Sequence, residues 1–422
     1  MSRFISLPGL LAAAFALLPA MLVAQVDDAS QTPDSLTLER AVRLAVEAED
    51  PALARFEARA RALDERAVAD TQLPDPKVTG QIANLPVDSF AFDESNMSQV
   101  RLGLRQEFPP GRTLAIRGDQ RRHEAQAERA RRKLALREIA LAMRTAWFDL
   151  AWHERAIEVV TASRASVSKQ VDSLAGRFAT GRMNAQDVLR AELEMALLDD
   201  QLAEHRRQAD LARSVLSRYI GRAAFARVDG EWPVLSEPAS GSVLLNRLAE
   251  HPAVIAENAE IEAADADIAM AEQAYKPAFA LEGGYGIRTD RPDFASIGVT
   301  LSVPLFTDKR QDRRRAAAVS RRGAEHHDRD ALLRDLRRRL EQAQVDWRRY
   351  NERLSLYRQA LGERARQTAE ASVTTYANGQ TDFAELIRSQ LAELNVELKR
   401  AELRAEAGKA WARIAYLTGD TP

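Results

Sequence analysis

Acid–base and metal chemistry need histidines, carboxylates or thiolates at short, regular spacings, and this 422-residue chain offers few. It has six histidines and no cysteine. Only His326 and His327 adjoin, and adjacent residues do not share a helix face. No HExxH pair, phosphate-cradling glycine loop or nucleophile elbow is present. The reading is therefore of no enzyme, no resident metal and no cofactor. The lack of cysteine excludes disulfides, thiolate metal sites and an N-terminal lipid-bearing cysteine. A formal net charge of −2 implies no global field that would seek a polyanion, so no nucleic-acid partner is expected.

Two acids do stand in register. Asp187 follows Gly181, and Glu385 follows Gly379, by six residues. They lie in matched segments, 177–221 and 375–419, which align without a gap at an offset of 198. Gly181/Gly379, Arg190/Arg388, Leu193/Leu391 and Gly221/Gly419 are identical pairs. Upstream, Asp50-Pro51 matches His251-Pro252 and Pro76 matches Pro277 at an offset of 201. A period near 200 is too long for a solenoid unit and reads as duplication of a whole structural half. The expected organisation is a signal peptide over 1–24, a first repeat over 25–221, a linker over 222–241 and a second repeat over 242–419.

These acids must be positioned by long helices. No proline occurs between Pro110 and Pro233 or between Pro304 and Pro422, and interior proline breaks helices. Each half is expected to run helix (36–73, 242–276), two strands, very long helix (112–178, 308–377), glycine turn, helix (184–219, 382–417). Leu333, Leu336, Leu340, Ala343, Trp347, Tyr350, Leu354, Tyr357 and Leu361 keep a 3,4 spacing throughout; Leu136, Ile139, Met143, Ala146 and Leu150 begin the same pattern. That spacing predicts coiled-coil packing along a rod on the order of 100 Å. Only 6% of residues are aromatic, which argues against a large aromatic core.

At the N-terminus, Arg3 precedes an apolar run from Phe4 to Ala24 broken by Pro8, Gly9 and Pro19. This reads as a secretory signal peptide cleaved near Ala24, the alternative being an uncleaved anchor. No later run reaches spanning length, so a membrane crossing by the mature chain is not expected to use a helix.

Four short stretches alternate instead: 77–85, 97–108, 278–287 and 295–306. In "MSQVRLGLRQEF", Val100, Leu102, Leu104 and Phe108 oppose Arg101, Arg105 and Glu107. In "ASIGVTLSVPLF", Val299, Leu301 and Val303 oppose Gly298, Thr300 and Ser302. Such lengths and alternation are the mark of strands in an outer-membrane barrel, lipid-facing on one side and lumen-facing on the other. Four strands enclose no lumen, and lipid tolerates no open sheet edge, so the chain is expected to oligomerise, three copies supplying twelve strands. Basic runs follow the strands: Arg112, Arg117, Arg121 and Arg122, then Lys309, Arg310 and Arg313 to Arg315. They are expected either to meet lipid phosphates or to form a solvated helix face.

The two half-repeats, with "FATGRMNAQDVLRAEL" and "YANGQTDFAELIRSQL" as their most specific segments, resemble the outer-membrane efflux protein family, the TolC-like channels. "LPDPKVTGQIANLP" followed by "MSQVRLGLRQEFPPG" is closer to the heavy-metal cation branch than to the protein-secretion branch. The resemblance implies a mainly α fold with a small β part: a trimeric outer-membrane β-barrel, four strands per chain, continued by a periplasmic coiled-coil barrel. It implies an outer-membrane exit duct with a large periplasmic portion. Its partners would be a homotrimer, outer-membrane lipid, a periplasmic adaptor and an inner-membrane pump of the RND type. It places Thr180, Gly181, Met183, Asn184, Asn378, Gly379 and Asp382 at the hairpin tip where the adaptor docks. Asp187 and Glu385 would be acid rings of a periplasmic gate, the bland alternative being acids favoured by a helix dipole. A protein-secretion channel is the alternative within the fold, and a soluble periplasmic coiled-coil scaffold the alternative outside it.

Overall fold

The computed structural model describes residues 35–48, 50–179, 185–228, 232–239 and 241–419. The expected signal peptide, and Thr180, Gly181, Met183 and Asn184 of the first hairpin turn, lie outside the described residues.

The first helix of each half is divided. Leu38–Glu47 (α1) starts behind Thr37, whose hydroxyl accepts from Arg40 N–H at 3.2 Å. Pro51–Asp70 (α2) starts again behind Asp50, whose carboxylate accepts from Ala52 N–H at 2.8 Å. The second half repeats this break with Gly241–Arg247 (α5), a short 3₁₀ turn, and Pro252–Gln273 (α6) behind His251. Single helices over 36–73 and 242–276 are thus corrected. A residue before proline is pushed out of the helical region, and Asp50 and His251 are extended at ψ 125° and 133°. Proline is welcome at the first helical position, where its missing N–H costs nothing.

Lys77–Ala83 (β1), Gln99–Phe108 (β2), Ala278–Ile287 (β3) and Phe294–Ser302 (β4) form one antiparallel sheet in the order β1-β2-β3-β4. Strand β1 ends two residues earlier than expected. Strand β4 stops at Ser302, so Val303 lies beyond it, next to Pro304, which has no N–H to extend the ladder.

Thr113–Ala179 (α3), 67 residues long, is about 100 Å by helical rise. It packs on α1, α2, α6, Ala185–Ile220 (α4) and Phe383–Thr418 (α9). Its buried stripe is therefore wider than a seam: Trp147, Phe148 and Ala151 join Ile139, Met143, Ala146 and Leu150. The second long helix is interrupted. Gln311–Leu356 (α7) passes through a π turn at Tyr357–Leu361 into Gly362–Ala377 (α8). Leu336, Leu340, Ala343 and Leu354 are buried, as the 3,4 spacing predicts.

One core cluster joins α1, α3, α4 and α9, and includes a local aromatic group in which Trp147 meets Phe148 edge-on at 5.4 Å. The stretch expected as a linker takes part: Ala224, Ala226 and Val228 are buried, Leu36 N–H donates to Arg227 O at 2.8 Å, and Trp232 stacks on Phe148 at 6.3 Å. A second cluster ties the two hairpins together, setting Val160 and Val167 of α3 and Leu198 and Leu202 of α4 against Phe383, Leu386 and Ile387 of α9. No helix among the described residues is long and apolar enough to cross a membrane.

Candidate functional site

The sheet register sorts the strand residues into two faces. Val100, Leu102 and Leu104 pair with Ile287, Tyr285 and Gly283 on one side and with Ile82, Gly80 and Val78 on the other. Phe279 and Leu281 pair in turn with Leu301 and Val299. Alternation puts all of these on one face, which is apolar from edge to edge except at Gln106, opposite Leu281. It is also exposed: Leu102 is 61% accessible, Val299 68% and Ile297 92%. Phe108 shares the face but is half-buried by a stacked contact with Phe279, centroids 4.8 Å apart.

The opposite face is polar and tied together. Lys77 Nζ donates to Glu107 at 2.8 Å, and Arg105 donates to Glu282 at 2.8 Å. Thr300 donates to the same Glu282 carboxylate at 3.1 Å. Arg101 on β2 reaches across β3 to Ser296 Oγ on β4 at 2.9 Å. These residues come from all four strands, so the face is built only when the sheet is. Edges β1 and β4 have no strand partner within the described chain.

At the far end of the helices, the second hairpin turn is described. Gly379 has φ +69°, as a helix-ending glycine requires, and its N–H donates to Tyr376 O at 3.0 Å. Asn378 is the C-cap of α8. Asp382 is the N-cap of α9, its carboxylate accepting from Glu385 N–H at 2.8 Å. Glu385 pairs with Arg388 one turn on. Asp187 sits in the first turn of α4. Both acids thus lie at helix starts, where the dipole favours them.

The basic runs are partly neutralised inside the chain. Arg121 bonds Asp70 at 3.0 Å and Glu124 at 2.9 Å, Arg122 pairs with Asp119, and Arg315 bonds Glu272 at 3.2 Å.

One pair was not read from the sequence. His153 on α3 and His205 on α4 face each other, Nδ1 to Nδ1, at 3.1 Å. Burial, then the neighbouring His205, push His153 down to about 4, and burial lowers His205 too. Fifty-two positions separate them, so only the α3–α4 hairpin brings them together. No cluster of three or more metal-ligating side chains occurs among the described residues.

Residues 243–420 match the family model described as outer membrane efflux protein. Over 163 residues it is 24% identical to the cobalt-zinc-cadmium resistance protein CzcC of Cupriavidus metallidurans. That match spans 38% of this chain and 39% of the relative, about two fifths of its length. The fold is similar to a membrane protein from Pseudomonas aeruginosa, with TM-score 0.78 and 20% identity over 90% of this chain and 93% of that one. It is also similar to CusC, a protein whose crystal structures concern folding and transmembrane channel formation, with TM-score 0.76 and 13% identity over 90% and 91%. The expected resemblance to outer-membrane efflux proteins agrees with the match over residues 243–420.

Proposed function

We propose that this protein is the outer-membrane exit duct of a tripartite efflux system, passively conducting substrates delivered by an inner-membrane pump of the RND type through a periplasmic adaptor. The observation that carries the reading is the sheet: an exposed face that is apolar across four strands, backed by a polar face built from the same strands, and joined to 100 Å-scale helices. Apolar outside and polar inside is what a strand needs between lipid and a wet lumen. Val100, Leu102, Leu104, Phe108, Val299 and Leu301 would face lipid; Arg101, Arg105 and Glu107 would face the lumen. Val303 would sit at the rim. Unpaired sheet edges are costly in lipid, so closure by three copies accompanies the reading. The duct would have Asp187 and Glu385 at its periplasmic entrance and its adaptor contacts around Asn378, Gly379 and Asp382.

The likeness to CzcC supports metal cations as a cargo class. The decisive experiment reconstitutes the purified protein in planar bilayers. The expectation is a heat-modifiable oligomer from the outer-membrane fraction with stepwise conductance, which rises on replacing Asp187 and Glu385 together by alanine. A soluble periplasmic monomer without conductance would instead support the scaffold reading.

A further inference from the structure

The five charges of the four strands are not evenly matched. Lys77 is held by Glu107, and Arg105 by Glu282, each at 2.8 Å, so four of them cancel in pairs. Arg101 is left. Its bond goes to the neutral hydroxyl of Ser296, and no carboxylate pairs with it among the described residues.

Its position is built. Arg101 pairs with Gln81 on β1 and Gly286 on β3, while Gly284, one polar-face position along β3, pairs with Ser296. A Cβ at Gly284 would stand 2.9 Å from Arg101 Nε and 3.1 Å from Nη2. A Cβ at Gly286 would stand 1.8 Å from Gln99 Oε1. Bare backbone at Gly284 is what leaves the guanidinium room to cross β3 to Ser296, while bare backbone at Gly286 leaves room for Gln99 beside it. Arg101 also lies near the strand ends that join the loops, opposite the end where the chain enters the helices. The neutralised pairs occupy the helix end.

We propose that Arg101 is a selectivity-determining residue of the duct: a cation with no carboxylate partner, seated over Gly284, that makes the lumen locally more positive at its own level, favouring anions and disfavouring cations there. The proposal rests on the pore reading above. In an assembly of three copies the charge is repeated around the axis, and a lumen walled by low dielectric focuses such a field.

The chain has no cysteine, so an introduced one is unique. Gln81→Cys, the cross-strand neighbour of Arg101, serves as a local probe in the assembled protein. It is modified with sulfonatoethyl and with trimethylammonioethyl methanethiosulfonate. The ratio of anionic to cationic reagent rates should fall about three-fold or more when Arg101→Gln is added, and stay within error for Arg101→Lys. In bilayers, the chloride-to-potassium permeability ratio should fall about two-fold in Arg101→Gln. Should Arg101→Gln fail to assemble, Arg101→Cys is assembled first and its charge set afterwards: the trimethylammonioethyl adduct should be more anion-preferring than the sulfonatoethyl adduct. Equal rate ratios with and without Arg101, or equal permeability ratios for the two adducts, would overturn the proposal. Absence of conductance in the unmodified protein would instead defeat the pore reading, while the rate ratio at Gln81→Cys still reports on Arg101.

Discussion

At the residue scale, chemistry-capable side chains turn out to serve packing. His153 and His205 share one hydrogen bond between α3 and α4, which needs the accepting ring to be neutral at Nδ1. Asp149 and Glu204 would favour the charged form of His153, but burial, His205 and Lys409 oppose it and win, leaving it at about 4. A folded-state value below the ordinary 6.5 means that the unfolded chain binds the proton better. Stability is therefore full above about pH 6.5 and declines as pH falls toward 4. The expected loss from this pair is on the order of 1 kcal/mol after solvent screening. Thermal unfolding measured between pH 7 and pH 4 should show it, and His153→Gln should flatten the slope; an unchanged slope would remove the pair from the account. None of this was legible in sequence, because nothing local marks two histidines on different helices as neighbours. Gly408 is a similar case. A glycine inside α9 reads as a weak point, yet a Cβ there would stand 2.4 Å from the ring of buried Phe148. Its role is set by α3, not by α9.

At the element scale, legibility followed the strength of local signals. The strand alternation and the 3,4 seam fixed positions well because burial on one face is periodic whatever the partner is. The breaks before Pro51 and Pro252 had a visible signal, a capping residue followed by proline, but apolar periodicity on both sides masked it. The π turn had none: Tyr357 and Leu361, which bound it, continue the seam spacing without a gap. A π turn is one extra residue accommodated inside an α-helix, so the helices on either side keep their own faces. Deleting Gln359 within it should therefore restore plain α-helix and leave α7 and α8 packed as before, with a change in stability under about 1 kcal/mol. Deleting Arg349 instead rotates everything beyond it by about 100°, turning buried Leu354 and Ala369 away from their neighbours. That variant should lose several times as much stability in chemical denaturation. Equal losses would mean that the π turn is itself needed.

At the scale of the whole molecule, the chain is incomplete by its own hydrogen bonding. Strands β1 and β4 lie at opposite edges of one sheet, separated by β2 and β3. Each edge carries a row of backbone donors and acceptors that water can serve but lipid cannot. An exposed apolar face on the same sheet rules the watery solution costly, since burying it in lipid gains about 25 cal/mol for each Å². The two costs are relieved together if β1 of one copy pairs with β4 of the next. Strand count and alternation are what raise this expectation from the sequence; they carry no trace of which residues would meet across the junction, because register between chains depends on barrel tilt. Cysteine pairs can find it. Gln81→Cys combined in turn with Ser296→Cys, Gly298→Cys and Thr300→Cys keeps every introduced thiol on the polar face. With two strands between the edges, a bond within one chain is out of reach, so any disulfide must join copies. At the correct register, mild oxidation should convert monomer to a covalent closed trimer on a denaturing gel, with dimer as the intermediate and nothing larger. Bands that climb past three copies would mean an open head-to-tail array. No cross-link at any register would mean that the edges are satisfied some other way, and closure by three copies would have to be abandoned.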